Sequence, residues 1–231
     1  MAEPVAELAS VSVRYGHRGV VRAVERAELA LVPGEIVGIT GPSGCGKSTL
    51  LRAIAGIERP TSGSVSYAGR PAWAGRARRA NYPRRGYTMA VFQDPFGSLD
   101  PRWAIWRSIT EPITAQERAP DAAALRVRAR TLLDVAGMHN VTLETRPREL
   151  SGGQRQRVAI LRAVAAEPAL IVADEPTAQQ DLITAAALTG LLRQAADAGT
   201  ALVVVSHNRD WLATFADRVI HMRAGRLDRL G

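Results

Sequence analysis

The segment Ile36-Val-Gly-Ile-Thr-Gly-Pro-Ser-Gly-Cys-Gly-Lys-Ser-Thr49 restricts the fold more than any other part of the 231-residue chain. The short apolar run Ile36–Thr40 reads as a buried strand. A glycine-rich turn follows it, and then an apolar helical stretch from Leu50 to Gly56. Gly41 to Ser48 fits G-x-x-x-x-G-K-[ST] in the strand-then-helix setting that a phosphate-binding loop requires. The glycines let the backbone curl, so that successive N–H groups point inward as an anion nest. The following helix adds the positive end of its dipole. The loop also holds Lys47, the only lysine among thirty Lys and Arg residues. A thin stem with a compact charge can enter a loop wrapped around phosphate, where a planar guanidinium fork would crowd it. Gly41, Pro42, Ser43, Gly44, Cys45, Gly46, Lys47, Ser48 and Thr49 are therefore expected to bind nucleotide phosphates, with the Ser48 hydroxyl on Mg²⁺.

Three more apolar runs read as buried strands: Thr88–Phe92, Ala169–Ala173 and Ala201–Val205. Each ends in residues with chemistry, namely Gln93, Asp174-Glu175 and Ser206-His207. Buried strands alternating with helical stretches such as Leu182–Ala196 argue for an α/β fold with a mainly parallel sheet. Ligands of such sheets bind beyond the carboxyl ends of the strands, so four reactive strand ends should share one site. A carboxylate pair closing an apolar strand is costly unless a metal or ligand uses it. Asp174 suits the Mg²⁺ shell, and Glu175 suits a base that orients or deprotonates an attacking water.

The first thirty or so residues differ. Val5–Val13 and Val20–Val32 alternate loosely and predict antiparallel strands at the edge of the core. Residues 95–166 predict helices broken at Pro101, Pro112, Pro120 and Pro147. The basic stretch Arg70–Arg85, with its glycines and prolines, predicts a loop or connector. Arg218–Met222 predicts a last strand. Apolar residues make up 46%, enough for a packed core. No run approaches the ~18 apolar residues of a membrane span, and the N-terminus lacks a secretory pattern, so a soluble cytosolic chain is expected. The net charge of +8 reads as an Arg-rich solvated surface, with no nucleic-acid partner expected. Cys45 is the single cysteine, so no internal disulfide can form.

Leu150-Ser-Gly-Gly-Gln154, placed before the amphipathic stretch Arg155–Ala166, offers a second phosphate-binding helix start. The combination resembles the ABC-type ATPases over nearly the whole chain. Gly41–Ser48 resembles their Walker A, Leu170–Asp174 their Walker B and Leu150–Gln154 their signature. Glu175 is similar to their catalytic glutamate, Gln93 to the Q-loop, His207 to the switch histidine and Tyr15 to the aromatic that stacks on adenine. The resemblance implies a P-loop NTPase fold in one domain. About 1–93 and 167–231 would form the nucleotide-binding core, with an N-terminal antiparallel β subdomain. About 94–166 would form a helical subdomain carrying the signature. It implies ATP and Mg²⁺ as cofactors, with Gln93 near the metal and the attacking water and His207 on the γ-phosphate. Glu175, His207, Gln93 and Lys47 would be catalytic, and Ser48, Gln93 and Asp174 would serve the metal. Two such domains would pair head to tail, with Ser151, Gly152, Gly153, Gln154 and Asp181 completing nucleotide sites across the pair. Alkylation of Cys45 is expected to block ATP binding, and ATP to protect it.

Val91-Phe-Gln-Asp-Pro-Phe-Gly-Ser-Leu-Asp-Pro-Arg102, with Trp103 and Trp106 beyond it, is similar to the Q-loop region of ATPases serving peptide and nickel importers. That likeness implies an ATP-hydrolysing subunit that powers import of a peptide, nickel, a metallophore or a related small solute. The partners implied are transmembrane permease subunits, a second ATPase domain (by resemblance a different chain) and a solute-binding protein upstream. The place implied is the cytoplasmic face of the membrane. An exporter ATPase shares the same catalytic set, and only the stretch around Gln93 argues against it. A soluble ABC ATPase acting on nucleic acid is expected to carry long insertions or two cassettes, where this sequence has one cassette. Two departures stand out. Where the family reads Ser-Ala-Leu-Asp after Glu175-Pro-Thr, this chain has Ala178-Gln-Gln-Asp181. The sequence also ends at Gly231, without the cysteine-bearing extension of peptide-importer ATPases, which fits a shorter relative.

Overall fold

The computed structural model describes residues 3–16, 21–73, 75, 79–92, 99–114, 120–178 and 180–229. Strands β1 (Ala6–Tyr15), β2 (Val21–Leu31) and β3 (Ile36–Thr40) lead into helix α1 (Lys47–Ile54). Strands β4 (Ser62–Tyr67), β5 (Arg70–Pro71) and β6 (Thr88–Val91) precede helices α2 (Ile105–Thr114), α3 (Ala122–Val135) and α4 (Gly152–Ala165). Then come β7 (Leu170–Asp174), α5 (Leu182–Asp197), β8 (Ala201–Val205), α6 (Arg209–Phe215), β9 (Arg218–Arg223) and β10 (Arg226–Arg229).

The apolar runs become the centre of a six-stranded sheet in the order β10-β9-β3-β8-β7-β6. All its pairs are parallel except β10 with β9. Every residue of β3, β7 and β8 is buried, which explains why these strands read as uninterrupted apolar runs. The period of two then divides each strand between two cores. Ile36, Ile171, Ala173, Leu202 and Val204 pack with α2 to α6. Val37, Ile39, Leu170, Val172, Val203 and Val205 pack with α1 and a second sheet. That sheet is antiparallel, in the order β2-β1-β4-β5, so the expected N-terminal strands pair with each other, β1 also pairs with β4, and β4 with β5.

Two expectations need correction. Arg70–Pro71 is strand rather than loop, paired with Ser66 and Tyr67 of β4. Pro112 lies inside α2 and does not break it. It sits in the last turn, where its missing N–H costs a single helical bond.

Helix α1 is short, and its far end is braced. The Tyr67 hydroxyl donates to the Ile54 carbonyl at 2.8 Å, and the Tyr82 hydroxyl donates to the Ala55 carbonyl at 2.6 Å. These phenols supply donors to carbonyls that a helix end leaves without partners. Burial pushes the ionisation of both phenols up, so they stay neutral donors. Gly56, at a φ of +71°, lets the chain turn beneath them. A Cβ there would lie 2.5 Å from the Tyr82 hydroxyl.

Candidate nucleotide site

Strand register brings the reactive ends together. Ile39 of β3 is level with Val205 of β8, which is level with Asp174 of β7. The loop after β3 and the residues closing β7 and β8 therefore share one end of the sheet.

The glycine loop is held by its own backbone contacts. Gly41 (φ +154°) and Gly46 (φ +109°) press against neighbouring main chain: a Cβ on Gly41 would lie 2.2 Å from the Met222 carbonyl oxygen, and one on Gly46 would lie 1.9 Å from that of Ala23. The Gly225 N–H donates to the Cys45 carbonyl at 3.0 Å, tying the loop to the turn between β9 and β10. Gly46→Ala is therefore expected to lower stability by about 1–3 kcal/mol through backbone strain alone. Thermal unfolding would show the drop; an unchanged midpoint would mean that the loop is free to move away from Ala23.

Helices α3, α4, α5 and α6 each start with a side chain that accepts a main-chain N–H, from Asp121, Ser151, Asp181 and Asn208 respectively. Helix α1 starts at Gly46 with no side-chain cap. A capping oxygen would occupy the amides that an anion needs. Lys47 is buried, and its Nζ donates to the carbonyls of Gly41 at 2.8 Å and Pro42 at 2.9 Å. An ammonium has three N–H donors, so one is left for a phosphate oxygen. Pro42, Ser43, Gly44 and Ser48 are exposed along the loop, and Thr49 is half-buried. Cys45 is only 9% exposed and packs with the core beneath the loop. That burial restricts the access that the expected alkylation needs.

The two carboxylates have different partners. Asp174 is buried, and its Oδ2 accepts the Ser48 hydroxyl at 2.7 Å. A hydroxyl and a carboxylate in contact fit Mg²⁺, which keeps several waters and takes few protein oxygens. Among the described residues no group of three or more His, Cys, Asp or Glu could hold a metal unaided. Glu175 leaves its strand at a φ of +51°, a conformation that a non-glycine residue adopts only when its surroundings impose it. Its N–H donates to the Val205 carbonyl at 2.9 Å. Its carboxylate accepts the Ser206 hydroxyl at 3.2 Å and the His207 N–H at 2.7 Å. The His207 imidazole is exposed, with Nε2 at 3.7 Å from Glu175 Oε1. Sequence reasoning placed Ser206 at a strand end but missed its bond to Glu175, and nothing local in the sequence signals it.

The other expected site residues make different contacts. Tyr15 ends β1 and is exposed. Ser151 and Gln154 bond to each other reciprocally: the Gln154 N–H donates to Ser151 Oγ at 3.2 Å, and the Ser151 N–H donates to Gln154 Oε1 at 2.8 Å. Ser151 and Gly152 are exposed and Gly153 is half-buried. Among the described residues no hydrogen bond joins this helix start to the loop at 41–49. Asp181 caps α5 through Thr184, whose main-chain and hydroxyl donors hold its carboxyl below the usual range. Gln93 lies outside the described residues. The two tryptophans behave differently: Trp106 is 8% exposed, with Arg126 and Arg107 guanidinium carbons 5.1 and 5.2 Å from its ring, whereas Trp103 is 38% exposed.

The family model described as "ABC transporter" matches residues 24–178. The oligopeptide transport ATP-binding protein OppF of Lactococcus lactis is 38% identical over 212 residues, covering 91% of this chain and 66% of the relative. The nickel import ATP-binding protein NikE of Escherichia coli is 37% identical over 218 residues, covering 94% of this chain and 79% of the relative. The chain thus spans slightly under two thirds of its OppF relatives, falling to 63% for that of Salmonella typhimurium. Among solved structures, the dimeric bacterial ABC transporter cassette MJ0796 superposes with a TM-score of 0.80 at 30% identity, over 97% of both chains. Its post-hydrolysis dimer bound to ADP and Pi gives 0.79 at 29% identity, again over 97% of both.

Proposed function

We propose, because this chain belongs to the ABC transporter family, that it binds and hydrolyses ATP to power import of a peptide, nickel, a metallophore or a related small solute through separate membrane subunits. One observation carries the reading: at one end of the sheet, an uncapped helix start and a buried lysine adjoin a hydroxyl–carboxylate pair and a second carboxylate held by main chain. The α1 amides and Lys47 hold the phosphates. Ser48 and Asp174 would hold Mg²⁺, which when bound would supply positive charge to the phosphate oxygens. Glu175 orients the attacking water and takes its proton, and His207 stands beside it to contact the γ-phosphate. Tyr15 offers an exposed ring to adenine, and Gln93 serves the metal and the water.

The solute class is supported by likeness to relatives named for oligopeptide, D,D-dipeptide and nickel transport. Among the described residues no helix is long and apolar enough to cross a membrane. The membrane path then belongs to permease subunits, with this chain at their cytoplasmic face. The helical segment 94–166 carries Ser151–Gln154 to the nucleotide of a second ATPase domain and Trp103 to the permease.

Co-purification with candidate permease subunits, followed by vesicle uptake of labelled peptide or ⁶³Ni, tests the reading. ATP-dependent accumulation of one solute is the expected result. A chain that binds ATP but joins no permease would remove the transport reading. Trp103→Ala is expected to weaken capture by the permease about tenfold, within the range for an interface anchor, and to leave ATP binding intact. Unchanged capture would place the docking surface elsewhere.

A further inference from the structure

The net charge of the chain is concentrated in one segment. From Arg59 to Gln93 the sequence has seven arginines and no Asp or Glu. The rest of the chain holds 23 basic and 22 acidic residues, so nearly all of the +8 resides in this segment. A surface charged only for solubility intersperses both signs. The fold gathers part of the segment at the far end of α1. The Asn81 N–H donates to the Ala72 carbonyl at 2.6 Å, and the Tyr82 hydroxyl holds the Ala55 carbonyl. A Cβ on Gly56 would lie 2.7 Å from that of Ala80, which puts Arg79 beside the same turn. Arg59 donates to the Gly75 carbonyl at 2.6 Å, and Arg84 to the Glu167 carbonyl at 2.9 Å. The Glu167 carboxylate turns to Arg128 at 2.5 Å, so it does not neutralise Arg84. Arg59, Arg79, Arg84 and Arg85 are exposed, and among the described residues Arg79 and Arg85 have no carboxylate partner. Ile57, which follows Gly56, is 60% exposed, and Tyr82 is 36% exposed.

Arginines beside an exposed isoleucine and tyrosine have the make-up of an interfacial surface. The charges suit anionic headgroups, and the apolar side chains suit the boundary with the acyl chains. A single-stranded nucleic acid would need an open ring on which to stack a base. The Tyr82 ring lies 5.1 Å from that of Tyr67, and its hydroxyl is tied to α1. We propose that this basic patch rests on the anionic lipid headgroups of the membrane beside the permease. The choice of a membrane rests on the transport reading above. Helix α1 separates the two contacts: lipid at its far end, nucleotide at its start, about 12 Å apart at 1.5 Å per residue. Attachment to lipid raises the effective concentration of the chain at the permease, so two weak contacts hold it better than either alone.

The test is co-sedimentation of the full chain with vesicles at physiological salt. One set mixes phosphatidylglycerol with phosphatidylcholine, and the other is phosphatidylcholine alone. Binding to the anionic set only, weakening as salt rises, is the expected result. Each arginine near such a surface is worth about fivefold in affinity. Arg79→Gln with Arg85→Gln should therefore weaken binding about tenfold or more, and Arg79→Lys with Arg85→Lys should keep it. The Gln pair should bind a fluorescent ATP analogue as wild type does. If it does not, the pair is misfolded, and Arg85→Gln alone carries the comparison with a fall of about fivefold. No vesicle binding, equal binding to both sets, or undiminished binding by the Gln variants would overturn the proposal. Stronger displacement by inorganic phosphate than by sodium chloride of equal ionic strength would assign the patch to free phosphate and overturn it too. So would tighter, Gln-sensitive binding to single-stranded RNA. Vesicle binding needs neither permease nor hydrolysis. A chain that binds vesicles but joins no permease loses the transport reading and keeps the patch, and one that joins a permease but binds no vesicles does the reverse.

Discussion

Glu175→Gln is expected to lower ATP hydrolysis by at least ~100-fold while ATP still binds, as loss of a positioned general base does. The substitution is nearly silent for structure. Glu175 accepts from two donors, the Ser206 hydroxyl and the His207 N–H. A glutamine oxygen can keep the His207 bond, and its new amide N–H can donate to Ser206, because a hydroxyl both donates and accepts. The Val205 carbonyl still holds the main-chain N–H. What is lost is a carboxylate that can take a proton from water. Phosphate release and size-exclusion chromatography in ATP read the result. A variant that stops and becomes a stable dimer shows that the chain completes its sites with a second copy. If wild type and variant both bind ATP but neither hydrolyses nor dimerises, the covering loop comes from another chain. Retention of more than about a tenth of the wild-type rate would remove Glu175 from the chemistry.

Lys47→Arg, which keeps the charge, is expected to weaken ATP binding by about tenfold or more, the scale of one charge-assisted hydrogen bond. The Lys47 stem is buried, and its Nζ sits between two loop carbonyls at 2.8 and 2.9 Å. A guanidinium is broader and cannot make both contacts from the same place. The loop cannot widen to admit it, since Gly41 and Gly46 already abut the Met222 and Ala23 carbonyls. Lys47→Ala should bind at least as poorly. Titration with a fluorescent ATP analogue separates the cases. Wild-type affinity in the Arg variant would mean that charge alone matters, and the single lysine would lose its explanation.

How far the fold could be read depended on where each residue's partners lie. Ile36–Thr40 and Ala201–Val205 match the strands residue for residue, because burial on both faces leaves no exposed position to blur their ends. Ser62–Tyr67 was missed: only Val65 and Tyr67 are buried, and Gly63 interrupts the pattern where its backbone approaches the Ser10 carbonyl. The phosphate loop was legible because its spacing encodes a backbone path. The support around Glu175 was not, because Ser206 lies 31 residues away in the chain. The Gln180 side chain donates to the Gly153 carbonyl, 27 residues away, so sequence marked that segment as altered without showing what it holds. Trp103 and Trp106 looked alike in sequence; α2 starts at Ile105, so the helix buries Trp106 and leaves Trp103 before its first turn.

The tyrosine-braced end of α1 has a consequence for the energetics of nucleotide capture. An isolated helix of this length would be largely unwound in water, and ordering it on ligand arrival would cost free energy for each residue fixed. Here Tyr67 and Tyr82 clamp one end, and the contacts of Gly41, Cys45 and Gly46 immobilise the other. That ordering entropy falls on folding, so the phosphates meet a rigid receptor. Amide hydrogen exchange in residues 47–54 should accordingly be slow before ATP is added and change little after it. A conformational response to nucleotide must then arise outside this helix.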